Sequence, residues 1–185
     1  MARAMGTQLL REGQLTRREV GTFIRLCGKL EHTQPWTLEL FEALARCVVC
    51  AAYEVVCFQY RPEGWCVFLA RRATNDIYWP NEWHSPGTIL RATDKTLTDA
   101  LKRLMERELA PATISKPIFT QLELNRIRRG TELRLIHIAY VIGMPNHGQF
   151  FPVDKPLPEP LMDHHRSLIE IALTGLPRLN RFAGR

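Results

Sequence analysis

Residues 83–110 read WHSPGTILRATDKTLTDALKRLMERELA, and the chemistry of this stretch centres on one carboxylate. Glu108 lies four residues past Leu104 and seven past Leu101, so helical spacing puts it on the same apolar face as those leucines and Met105. A carboxylate at the end of an apolar stripe is costly unless something satisfies it. A metal ion, a basic partner or open solvent would each do so. The elements that position it are legible. Pro86-Gly87 marks a tight turn in which Gly87 is a turn residue under any reading, and Thr88-Ile89-Leu90 is short and β-prone. Thr96 and Asp99 have capping-box spacing, with Asp in place of the usual Glu or Gln, and open the helix.

Other residues offer weaker chemistry. Tyr78, Trp79 and Trp83 sit in or beside the loop of residues 73–82, where they would stack a base or sugar or else plug the space under the loop. His147 stands at the tip of a loop over residues 143–148. His137 lies inside a strand-like run and reads as an inner-face residue. His164 and His165 are adjacent, a poor spacing for two ligands, and read as solvated. Five cysteines, mostly in apolar segments, read as reduced, buried thiols. Cys47 and Cys50 form a formal CxxC. In a strand they would face opposite ways, though on a helix they would share a face, and core packing is the preferred reading.

Residues 83–110 resemble the Nudix superfamily signature, a strand-loop-helix unit with Pro-Gly-Gly in front and an Arg-Glu-x-x-Glu-Glu helix behind. Trp83, Pro86 and Gly87 match the front, with Thr88 at the second glycine. With one extra loop residue, Arg103 matches the signature arginine, Glu108 matches the last glutamate, and Asp94 falls near the acidic loop position. Leu104 and Arg107 replace the other two helix glutamates. The run of Arg103, Leu104, Glu108 and Leu109 looks like the GDP-mannose mannosyl hydrolase branch, which also lacks much of the carboxylate cluster. The order of elements carries the resemblance over roughly residues 40–175.

The resemblance implies an α/β fold, an α/β/α sandwich around a mixed sheet. It also implies a hydrolase that cleaves a nucleoside diphosphate linked to another moiety, such as a nucleotide sugar. Mg²⁺ or Mn²⁺, weakly held, would offset phosphate charge and activate water. Carried onto this chain, the metal ligands are Glu108, the backbone of Gly87 and Glu106. Arg103 orients the site, and His147 is the first candidate base, with His84 next. Arg71, Trp79 and Trp83 are the substrate contacts. The degenerate box also opens a second class, a catalytically silent module that binds a nucleotide or a protein partner.

A net charge of +6 suits an anionic ligand such as a nucleotide, and it fits solvated surface charge equally well. The basic cluster of residues 126–129 has no aromatics interleaved, which argues against a dedicated nucleic-acid surface. No apolar run reaches the roughly 18–20 residues needed to span a bilayer, and the longest, residues 47–58, is interrupted by Glu54. The N-terminus lacks a signal-peptide pattern, so a cytoplasmic location is expected. Periodicity predicts helices over 16–30, 37–46 and 161–173, a hairpin over 48–71, and strands over 119–124 and 133–142. The expected organisation is a helical extension over 1–46, a Nudix-like domain over 47–175 and a basic, mobile tail over 176–185. The extension would pack on the domain or mediate a homodimer.

Overall fold

The computed structural model describes residues 15–30 and 36–183, so residues 1–14, 31–35 and 184–185 lie outside it. Helix α1 (Arg17–Leu30) opens with the capping box read from the sequence. The Thr16 N–H donates to Glu19 Oε2 at 2.7 Å, and the Glu19 N–H donates to Thr16 Oγ1 at 3.3 Å. No residue of α1 is buried. Thr37 caps α2 (Leu38–Ala45).

The domain is organised around β1 (Val49–Arg61). One edge pairs antiparallel with β2 (Gly64–Arg71) and, nearer its start, with β4 (Gly87–Ile89). The other edge pairs in parallel with β7 (Gly130–Ile142), from Val49 opposite Thr131 to Phe58 opposite Tyr140. Beyond β7 lie β5 (Thr113–Ile114) and β6 (Ile118–Ile127), both antiparallel to it. The short strands β3 (Trp83–His84) and β8 (Gln149–Pro152) pair with β2. The sheet is therefore mixed, as expected.

Side chains alternate across a strand, so each face has its own core. Val56, Phe58, Ile136 and Ile138 meet Leu168, Ile169 and Ala172 of α4 (Asp163–Thr174). Val55, Cys57, Ala139 and Val141 meet Leu104 of α3 (Leu97–Leu104) and Leu109 of the π-helical turn that follows, Met105–Leu109. Helices on both faces make this an α/β/α sandwich. Two expectations fail. Residues Leu176–Phe182 form a 3-10 helix whose Leu179 is fully buried in the α4-side core, so this part of the tail is docked rather than mobile. Of the cysteines, only Cys57 and Cys66 are buried, while Cys47 is exposed in the turn before β1.

Candidate functional site

The predicted turn and helix come together at Gly87. Thr96 and Asp99 form the full capping box that starts α3. Arg103 then reaches back to the turn, donating to Thr88 Oγ1 at 2.7 Å, to the Ile89 carbonyl at 3.5 Å and to the Asp94 carboxylate. The guanidinium fork thus ties helix, strand and loop together. The helix does not continue in α register. Leu104 and Leu109, five residues apart, are both fully buried, a spacing that a π-helical turn brings onto one face. Glu108 therefore leaves the apolar stripe and lies beside the turn, where its Oε2 accepts the Gly87 N–H at 3.4 Å.

Arg107 occupies the place expected for a metal ion. Its Nη2 donates to the Gly87 carbonyl at 2.8 Å and also to Glu108 Oε1, which Nε approaches at 3.1 Å. These are two of the three oxygen donors expected to hold a divalent cation. A cation there would meet a guanidinium, and Glu106 is exposed and takes no part in the network. Among the described residues no group of three or more His, Cys, Asp or Glu side chains is placed to hold a metal ion. The donor set as it stands does not fit one.

Beside the turn opens a cavity of about 910 Å³. Its apolar wall includes Leu30, Trp36, Phe41 and Leu44 from the N-terminal helices and their junction, with Leu90 opposite. Its polar wall includes Glu54, His84, Ser85, Arg107, Arg129, Glu132 and His165. Glu54 comes from the middle of β1. It shares the α4-side face with Val56 and Phe58, and its Oε2 is buried with no hydrogen-bond partner among the described residues. Burial, then the nearby Glu132 carboxylate, raises its acid to about 8 against the opposing pull of Arg134. Arg129 donates to Glu132 at 2.8 Å and lies over the rings of Phe41 and Trp79.

The histidines here are neutral donors and acceptors with fixed roles. His84 Nδ1 lies 3.0 Å from the Ser85 carbonyl, so it carries the proton. The Ser85 N–H donates to His165 Nδ1 at 3.0 Å, which places that ring's proton on Nε2. Burial lowers both. It takes His164 down to about 4, with Arg134 adding to the effect. The expectation that His164 and His165 are solvated is therefore overturned. Arg134, almost fully buried, donates to the His164 carbonyl at 2.6 Å and holds the start of α4 against β7.

The remaining expected residues are spread out. Trp79 is buried, packs against His164 with ring centres 5.1 Å apart, and lies on the cavity wall. It thus plugs the space under its loop while facing the cavity. Arg71 donates to the Asn81 carbonyl at 3.0 Å and lies over Trp83, whose ring packs against Phe151 in the core. His147 is exposed in its loop and is not part of the cavity wall. His137 is an inner-face residue, as read, between Tyr53 and Phe119. Sequence reasoning gave no site role to Ser85 or Glu132, named Arg129 only within the basic cluster, Glu54 only as a break in an apolar run, and His165 only as a solvated neighbour of His164. The one available signal was the charge of Glu54 inside an apolar run.

No protein-family model matches the sequence, and no curated protein does. Solved structures do resemble the fold. The NUDIX domain of Shewanella oneidensis NrtR, solved with ADP ribose, superposes with a TM-score of 0.54 at 20% identity, over 76% of this chain and 99% of that one. A mutT/nudix family protein from Listeria innocua gives 0.54 at 16% identity, over 70% and 94%. The C. elegans Ap4A hydrolase gives 0.51 at 12% identity, over 70% and 99%. These identities speak to architecture, and with the sheet order and the Gly87 turn they lead to one statement: the chain has the Nudix fold.

Proposed function

We propose that this chain is a nucleotide-binding module in which an arginine stands where a Nudix hydrolase would hold its metal ion. The observation that carries this reading is Arg107, bonded to both the Gly87 carbonyl and Glu108. A ligand diphosphate would meet Arg107 and Arg91, both on the cavity wall, without a divalent cation. Arg91 has no ion pair within bonding distance among the described residues, and it lies near the like charges of Arg103 and Arg107 and the opposite charge of Asp94. The cavity is of the size that takes a small-molecule ligand. That the NrtR domain was solved with ADP ribose supports a ligand of this class. Of the helical extension expected over 1–46, α1 and α2 then roof the site through Leu30, Phe41 and Leu44. A homodimer through α1 would cover Val20, Phe23 and Ile24, which are exposed in the single chain. A cytoplasmic location suits such a ligand, and among the described residues no helix is long and apolar enough to cross a membrane.

Metal-dependent hydrolysis is the second reading, and the exposure of Arg107 favours it. Half of that side chain, 51%, is accessible, so its departure costs little and would free Gly87 and Glu108 for Mg²⁺ or Mn²⁺. The mannosyl-hydrolase resemblance belongs to this reading. Calorimetric titration with ADP ribose, in EDTA and in Mg²⁺, decides between them when run beside a turnover panel of nucleotide sugars and dinucleotides. Binding that is equal in both, with no turnover, is the expected result. Metal-dependent product that disappears in Glu108→Gln would sink the binding-module reading.

A further inference from the structure

We propose that α1 is a membrane-surface helix, whose apolar half enters the acyl boundary of a bilayer while its basic side chains meet anionic lipid headgroups. The proposal does not depend on the nucleotide reading and concerns the part of α1 that projects beyond the cavity.

The helix is two-sided in sequence, yet it has no buried residue. Val20, Phe23, Ile24 and Cys27 recur at helical spacing, with Leu15 and Leu26 on the same half. Only the last turns are engaged, where Cys27 and Leu30 line the cavity. Ahead of them the apolar half is open. Phe23 is 49% exposed and Ile24 65%, and Leu15, Val20 and Leu26 are exposed as well. The other half is basic. Arg18 and Arg25, seven residues apart, face away from the apolar side. Arg17, seven before Ile24, and Lys29, three after Leu26, stand at its two borders. None of these four cations has an ion-pair partner among the described residues. Gly21 lies between Arg18 and Arg25 on the basic half, and a Cβ there would have nothing within 4 Å, so that half faces open space. The one acid of the helix, Glu19, is held in the capping box by the Thr16 N–H at 2.7 Å and its hydroxyl at 2.8 Å.

A row of exposed apolar side chains this long marks an interaction surface, and charge selects what covers it. A second α1 laid against the first would bring four more cations beside these four, with only Glu19 of each helix to offset them. A groove on another protein would take the apolar half and leave the cations without a role. A nucleic acid would take the cations and leave the apolar half in water. An anionic bilayer surface engages both halves at once. The apolar side chains sit among the upper acyl segments, and the arginine and lysine stems run along that layer with their heads level with the phosphates. The helix has 14 residues, about 21 Å, so it lies along the surface rather than across it.

The test is flotation of the full chain with vesicles of mixed phosphatidylglycerol and phosphatidylcholine, beside vesicles of phosphatidylcholine alone. Binding is expected to be about tenfold or more tighter on the anionic vesicles and to weaken by about tenfold between 0.1 and 0.5 M salt. The pair Phe23→Asp and Ile24→Asp should weaken it by about tenfold or more. The pair Arg18→Gln and Arg25→Gln should remove most of the preference for the anionic vesicles. All four side chains are exposed, and thermal unfolding checks that each variant keeps the fold. A wild-type chain that does not float with anionic vesicles would overturn the proposal. So would equal binding to both kinds of vesicle, or binding that Phe23→Asp and Ile24→Asp leave unchanged. If the chain does not float, a dimer in sedimentation that the same two substitutions convert to monomer assigns the face to a second copy instead.

Discussion

At the scale of single residues, Arg107 and Gly87 decide what the turn can hold. Arg107→Glu removes the guanidinium from between Gly87 and Glu108 and returns a carboxylate to a signature position. Under the proposed reading it is expected to raise Mg²⁺ affinity above that of the wild type, read by metal titration, while weakening metal-free ADP ribose binding by about tenfold. An Arg107→Glu variant that still ignores Mg²⁺ would mean the turn is not a metal position at all. Gly87 answers to a different neighbour. A Cβ there would meet Glu54 Oε2 at 2.1 Å, so Gly87→Ala should cost about 1–3 kcal/mol by overpacking. Glu54→Ala opens that space. The double variant should therefore be more stable than the sum of the singles predicts, by about 1 kcal/mol in urea unfolding. Strict additivity would show that the Glu54 carboxyl moves aside freely.

At the scale of elements, the site depends on how α3, its π-helical turn and α4 are set against the sheet. Arg134 is the pin for α4: its guanidinium bonds the His164 carbonyl, the Glu123 carboxylate and Ser167 from a position almost without exposure. Arg134→Ala should cost about 3–5 kcal/mol, because the His164 carbonyl and the partly exposed Glu123 carboxylate lose an almost fully buried guanidinium at once. Near-wild-type stability would mean α4 is held by its apolar contacts alone. Much of this framework was legible in the sequence. Both capping boxes, at Thr16 and Thr96, form as the spacing of Glu19 and Asp99 foretold. The hairpin and the two long strands were equally plain from their apolar runs. The π-helical turn was not, because an α-period argument aligns Glu108 with Leu101 and Leu104, whereas packing selects Leu109 instead. Glu54 was hidden because β1 is buried on both faces, so no alternation marks which side it joins. His164 and His165 looked solvated because nothing local shows that β7 supplies a buried arginine against their helix start.

At the scale of the whole molecule, the buried titratable groups pull stability in opposite directions with pH. Burial raises the Glu54 acid to about 8, above its ordinary value of 4.5. Between those values the unfolded chain is ionised there and the folded chain is not, so unfolding releases a proton. The stabilisation from a neutral Glu54 is complete below 4.5 and is lost as pH rises through about 8, at roughly 1.4 kcal/mol per pH unit. The histidines act the other way. Burial holds His84, His137, His164 and His165 below their ordinary 6.5. Below pH 6.5 the unfolded chain binds protons that these folded rings refuse, so their contribution is present above 6.5 and lost as pH falls toward about 4. Four histidines outweigh one glutamate on the acid side, and Glu54 acts alone among these five above it. Stability should therefore peak near pH 6.5 and fall on both sides, steeply toward acid and gently toward base. Urea midpoints measured from pH 4 to 9 test this. Glu54→Gln should flatten the alkaline limb and steepen the acid limb between pH 4.5 and 6.5, where Glu54 opposes the histidines. A wild-type midpoint that climbs steadily to pH 9 would show that Glu54 is ionised in the folded chain, and the carboxyl beside Gly87 would then be a charged neighbour of Glu108 and Arg107 rather than a neutral one.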